Sequence, residues 1–242
     1  MFGKGKKKEK FNIHIARMTS YMDRALGHKY YPAACSEDIK PMIEEFYDKT
    51  VSMVDWENAD ESLCNDVEAI IQILHFLALN TCPYERMSKE DVEAFKKLLM
   101  ELEQLLNETV MDSGKTSDRI TCFLGIFQKN MASTNFSETN HENWRRGMVF
   151  QDYEDLWKIV HRINTEWVEL RSRGYSYNTF YEFWRSCDSS LRNGEELSEE
   201  EKFNAFMGIL DGKMKFVPAY RREYRPVGYR VVPNSSEDEI VY

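Results

Sequence analysis

The stretch ESLCNDVEAIIQILHFLAL, residues 61–79, decides the fold class. Val67, Ile70, Ile71, Leu74 and Leu77 recur at spacings of three and four, which lines them along one helical face. Ile73, Phe76 and Leu79 fill the remaining sides. A helix apolar nearly all round belongs at the centre of a helical body. Its most apolar part, Ala69 to Leu79, is about half as long as a bilayer crossing needs, so no membrane association is expected.

Helical periodicity continues on both sides. Ile15, Met18, Met22 and Leu26 predict a first helix from Phe11, closed by Gly27. Ser36 reads as the N-cap of a second helix, from Glu37 to about Val54, with Ile39, Ile43, Phe46, Tyr47 and Val54 inward. Ser88-Lys89-Glu90-Asp91 resembles a capping box, with Asp in the usual Glu position. It opens a helix carrying Val92, Phe95, Leu99, Leu102 and Leu106. Asp112 to Ser117 reads as a loop, with Asp118 capping a helix through Met131, and residues 133–143 are polar and loop-like. Tyr153, Leu156, Val160, Ile163, Trp167 and Leu170 form a seam within a helix from Gln151 to Gly174. That seam is too short to specify a coiled coil by itself, so it is placed in a bundle. A short aromatic helix with Tyr177, Phe180, Tyr181 and Trp184 follows. Ser198 to Glu201 is a capping box for a last helix ending at Gly212.

Composition agrees with this reading. Gly (11) and Pro (6) are scarce among 242 residues, which favours long helices over many short strands. Hydrophobic residues make up 42% and charged residues 30%, a globular balance. Five cysteines at irregular spacing and in odd number disfavour a secreted disulfide framework and fit reduced core thiols. The start, Met1-Phe2-Gly3-Lys4-Gly5, runs into lysines rather than an apolar segment, so neither a secretory leader nor myristoylation is expected.

The net charge of −9 is unevenly spread. Residues 1–10 hold five Lys and one Glu, net +4, and residues 213–230 hold six cations and one acid, net +5. Residues 231–242 carry −3, so removing these three contributions from −9 leaves −15 on residues 11–212. An acidic body disfavours duplex binding by that body. Basic ends seek an acidic surface, and the body of another copy is one.

The chemical motifs are weak. Gly114-Lys115-Thr116 lacks the upstream glycine and the preceding strand of a phosphate-binding loop. Glu138-Thr139-Asn140-His141 is a single Glu-x-x-His, where a di-iron bundle needs two on facing helices. None of the histidines, at 14, 28, 75, 141 and 161, is paired at three or four residues, so no helix presents two metal ligands. His75 reads as a buried, hydrogen-bonded, neutral imidazole. Glu44-Glu45, Glu195-Glu196 and Glu199 to Glu201 read as solvated faces and first turns. No catalytic, cofactor or metal site is expected, and the chain is read as a non-enzyme.

Beyond Gly212 the pattern changes. Pro218, Pro226 and Pro233 exclude a helix and any central strand, yet the segment is too aromatic for a simple solvated tail. Tyr and Arg are the residue types that dominate binding hot spots. Phe216, Tyr220, Arg221, Arg222, Tyr224, Arg225, Tyr229 and Arg230 are therefore the candidate partner-binding residues. Extended, residues 214–242 would reach about 95 Å at ~3.3 Å per residue.

The sequence thus implies an all-α protein. A flexible basic segment (1–10) precedes a body of seven or eight helices (11–212), which carries an extended, mostly irregular arm (213–242). The expected function is structural: a subunit of a multi-copy assembly, such as a head-to-tail ring or adaptor of a tailed phage. Its partners are other protein subunits, copies of itself included, with nucleic acid touched only through the basic ends. Its place is the cytoplasm or a virus particle assembled there. A cytosolic regulatory or adaptor module with an aromatic binding surface is the alternative, and a helical enzyme without a known motif is third.

Overall fold

The computed structural model describes residues 12–27, 35–81, 86–127, 150, 152–192, 197–220 and 226–233. Among these the fold is all-α. The helices are α1 (Ile13–Leu26), α2 (Lys40–Met53), α3 (Glu61–Leu79), α4 (Lys89–Met111), α5 (Ser113–Phe127), α6 (Tyr153–Ser172), α7 (Tyr177–Arg192) and α8 (Glu199–Leu210). Strands β1 (Met214–Tyr220) and β2 (Pro226–Pro233) follow.

Side-chain caps set most helix starts. Asn12 accepts from the backbone N–H groups of His14 (2.9 Å) and Ile15 (3.2 Å). Asp60 caps α3 through Leu63 N (2.8 Å), Ser88 caps α4 through Asp91 N (3.0 Å), and Asp152 caps α6 through Asp155 N (3.0 Å). The α8 box is reciprocal: Glu201 N donates to Ser198 Oγ (3.2 Å), and Ser198 N to Glu201 Oε2 (2.8 Å). Each cap satisfies donors that the first helical turn leaves open.

Three boundaries differ from the sequence reading. Helix α2 starts at Lys40 rather than Glu37, and the Ser36 hydroxyl accepts from Asp38 N (3.3 Å) in a turn ahead of the helix. Ser36 N donates to Thr81 Oγ1 (2.7 Å), and the Asp38 carboxylate accepts from Met87 N (2.9 Å). These bonds tie the approach to α2 onto the connection between α3 and α4. The expected loop at 112–117 shrinks to Asp112, and α5 begins at Ser113. The buried hydroxyls of Thr109 and Thr116 bond across the junction (2.9 Å), which holds the helix ends close. Asp118, read as a cap, pairs instead with Arg171 (2.7 Å). Helix α7 runs on to Arg192, well past the expected short aromatic turn. The 133–143 stretch lies outside the described residues.

Helix α3 is central and packs against α1, α2, α4 and α5, while α4 lies along α6 and α5 along α7. By length and composition α3 could span a bilayer, but 72% of its apolar window is buried inside the protein. Ile70, Ile71, Leu74, Leu77, Leu99, Leu102, Val160 and Ile163 are buried as expected, whereas Trp167 is only partly covered. Phe150 stacks on Phe183 and Phe206 meets both edge-on, with centroids 4.8–5.7 Å apart, which joins α7, α8 and the approach to α6.

Candidate interaction site: the C-terminal hairpin and its anchor

The hairpin begins with a turn fixed by backbone chemistry. Gly212 adopts φ 71°, where a side chain would be strained. Lys213 N donates to Gly208 O (2.8 Å) and Gly212 N to Ile209 O (2.8 Å). These are the two bonds of a Schellman ending, and they turn the chain back across α8. Met214 then lies over Gly208 so closely that a Cβ there would sit 2.4 Å from Met214 Cγ.

The turn is pinned to the body. Arg162 Nη2 on α6 reaches Asp211 Oδ1 (2.7 Å), while its Nε donates to both oxygens of Glu166 (3.0 and 3.1 Å). The Tyr175 hydroxyl donates to the Ile209 carbonyl. Lys213 and Arg162 together hold the Asp211 carboxyl below its usual pKa.

The arm is extended as expected, and within it two stretches pair antiparallel. Partners run from Met214 opposite Pro233, through Pro218 opposite Tyr229, to Ala219 opposite Gly228, with an irregularity before Tyr220 and Pro226. Both strands are edge strands, so the rule against a proline in a central strand is respected. Proline also sets the ladder. Pro218 has no N–H, so the 218–229 pair must be non-hydrogen-bonded, and the bonded pairs are 217–230 and 219–228. By the same alternation the Met214–Pro233 and Phe216–Val231 pairs are non-bonded, and their backbone polar groups point outward. The outer edge of β1 is therefore interrupted at Pro218. The outer edge of β2 offers the N–H and C=O groups of Tyr229 and Val231. Strand β2 lies against α7, and no further described strand pairs with either edge.

Of the candidate partner-binding residues, Phe216 and Tyr220 fall in β1, and Tyr229 and Arg230 in β2. Arg221, Arg222, Tyr224 and Arg225 lie outside the described residues. The anchor residues Arg162, Tyr175 and Asp211 carried little sequence signal. Arg162 and Glu166 merely look like a surface pair at i, i+4.

The body's chemically capable groups are mostly engaged in holding helices together. His161 Nδ1 lies 2.6 Å from Glu101 Oε1, and the other Glu101 oxygen accepts from Asn164 Nδ2 (2.8 Å), which joins α4 to α6. His14 Nδ1 lies 2.8 Å from Glu68 Oε2, joining α1 to α3. Burial pushes the Cys35, Cys122 and Cys187 thiols up to about 12, so they stay protonated near neutrality and are poor nucleophiles. His75 is buried and neutral as expected, with burial and the nearby Arg24 pulling it down to about 4. The expected hydrogen bond is missing: neither ring nitrogen has a partner among the described residues, and the ring stacks on Tyr21 at 5.4 Å. No cluster of three or more His, Cys, Asp or Glu side chains able to hold a metal occurs among the described residues. Gly114-Lys115-Thr116 forms the first turn of α5, where Lys115 pairs with Asp112 (2.7 Å). Glu138 and His141 lie outside the described residues.

No protein-family model matches the chain, and no curated protein or solved structure resembles it at a significant level.

Proposed function

We propose that the chain is a non-enzymatic assembly protein, a helical body that joins a multi-copy protein complex through its C-terminal arm. The observation that supports this reading is the outer edge of β2, where Tyr229 and Val231 offer backbone hydrogen-bonding groups at a sheet that has two strands among the described residues. Isolated two-stranded hairpins are marginal in water. Here the base is pinned through Arg162 and Tyr175, so the edge is presented in a set place. An added strand from a partner gains main-chain bonds, and the Tyr- and Arg-rich sequence supplies specificity. The partners are protein subunits, copies of this chain among them. In its most concrete form the protein is a virion component, such as a ring or adaptor at a tailed-phage head-to-tail junction, assembled in the cytoplasm.

The test is the mass in solution of the full chain beside its Val231→Pro variant. Proline at 231 removes an outward N–H and leaves the inward ladder intact. The full chain is expected as a species of several copies, and the variant as a folded monomer. Equal masses for the two would remove the edge from the assembly.

A further inference from the structure

The seam between α4 and α6 holds an imidazole whose two nitrogens are unequally placed. His161 Nδ1 lies 2.6 Å from Glu101 Oε1. The Glu101 side chain is 11% exposed and that of His161 51%. The second carboxylate oxygen is also engaged, accepting from Nδ2 of the buried Asn164 (2.8 Å). With a donor at each oxygen, Glu101 is an ionised acceptor, and the hydrogen of a neutral His161 ring sits on Nδ1. The lone pair is then on Nε2, across the ring from the carboxylate and on the side turned to solvent. Trp157 stacks against the ring at 5.7 Å and helps to fix its plane. No described residue bonds Nε2.

The other described histidines lack this arrangement. His14 is buried, with Glu68 at Nδ1 and Glu61 at Nε2. His75 is enclosed, and neither of its nitrogens meets a carboxylate among the described residues. Charge around His161 selects the kind of electrophile it suits. The cations beside it on α4 and α6 are paired: Lys97 with Glu154 (3.0 Å), Lys158 with Asp155 (3.0 Å), and Arg162 with Glu166 and Asp211. None of the three is left to hold a phosphoryl dianion on this acidic body, whereas a neutral acyl group needs no counter-charge.

We propose that His161 is an acyl-accepting site, a nucleophilic imidazole positioned by Glu101 and reactive toward activated esters and thioesters. Nε2 attacks the carbonyl carbon and forms a bond to it. The carbon's bond to the thiolate or aryloxide breaks, and the electron pair leaves with that group. The Nδ1 proton passes to Glu101 and through solvent to the leaving group, so His161 and RCO–X become acyl-His161 and HX. Water later cleaves the acyl-imidazole to the carboxylic acid and restores the ring. Glu101 is a positioning residue: it sets the tautomer and stabilises the ring while it carries positive charge. The proposal goes beyond the assembly reading and does not depend on it.

The test uses the full chain and p-nitrophenyl acetate, with acetylated residues located by mass spectrometry. The expected product is a hydroxylamine-labile acetyl group on His161. It should form at least about tenfold faster than on the same histidine in an unfolded peptide of residues 157–166, and the Glu101→Gln variant should lose that advantage. Nitrogen NMR of the wild-type ring supplies a readout that does not depend on the variant's folding. His161 should show the Nδ1–H tautomer. A ring found mainly as the Nε2–H tautomer overturns the proposal. So does the absence of an adduct on His161, or a rate equal to that of the peptide or of a folded Glu101→Gln variant.

Discussion

Arg162 on α6 and Asp211 just past α8 are joined by a 2.7 Å ion pair, and Arg162 is held in turn by both oxygens of Glu166. The pair ties the last helix, and with it the base of the hairpin, to the longest contact seam of the body. Arg162→Ala should cost about 1 kcal/mol in a denaturant titration, since Asp211 remains partly solvated. Limited proteolysis should cut the variant faster within residues 211–214. An unchanged cleavage rate there would mean that Tyr175 and the Schellman turn suffice.

His75 makes stability depend on acid. Its pKa falls from near 6.5 in the unfolded chain to about 4 in the fold. A depressed histidine leaves the fold fully stable above about pH 6.5, and stability is lost as the pH drops toward 4. The loss attributable to His75 reaches roughly 3 kcal/mol at pH 4. His75→Phe keeps a ring against Tyr21 and cannot be protonated, so its urea midpoint should gain on the wild type as pH falls. Parallel pH curves would show that the imidazole finds a proton acceptor in the fold.

Leu74 and Ile163 are fully buried on α3 and α6. Truncating either to Ala should cost about 2–5 kcal/mol, through lost burial and the cavity left behind. Val168, 84% exposed on α6, is the matched control. Val168→Ala should stay within about 0.5 kcal/mol. Chemical denaturation of all three variants measures the difference, and similar costs at all three would falsify the assignment of the helix faces.

The hairpin ladder offers a contrast between neighbouring positions. Val231→Pro removes an outward N–H, whereas Arg230→Pro removes an inward one from the bonded 217–230 pair. The second variant should shift the hairpin resonances toward unpaired values and lower protection from amide exchange, while the first should leave both nearly unchanged. If both variants unzip the strands alike, the alternation set by Pro218 is wrong.

The central helix, the Ser198 box and the ends at Gly27 and Gly212 were legible because each rests on local rules of period, capping and backbone freedom. Where the reading failed, a distant partner decided. Ser36 looks like an ordinary N-cap, and nothing local announces that Thr81 and Met87 bond the Ser36 backbone and the Asp38 carboxylate ahead of the helix. Residues 112–117 look like a loop because Gly, Ser and Asp favour turns, and nothing local announces the buried bond between Thr109 and Thr116. The prolines of the arm were read correctly as incompatible with a helix or a central strand. That two edge strands would pair follows from contacts with α7 and α8, which no short-range pattern encodes. Glu101 carries no local sign of burial, and only the fold buries it between His161 and Asn164.

Gly208 interrupts α8 at some cost in helix propensity, and Met214 fills the space that its missing side chain leaves. The two positions thus share a single volume. In any descendant chain that keeps this hairpin, a larger residue at 208 must be matched by a smaller one at 214, and a paired exchange of size at these positions would mark kinship where overall resemblance has faded.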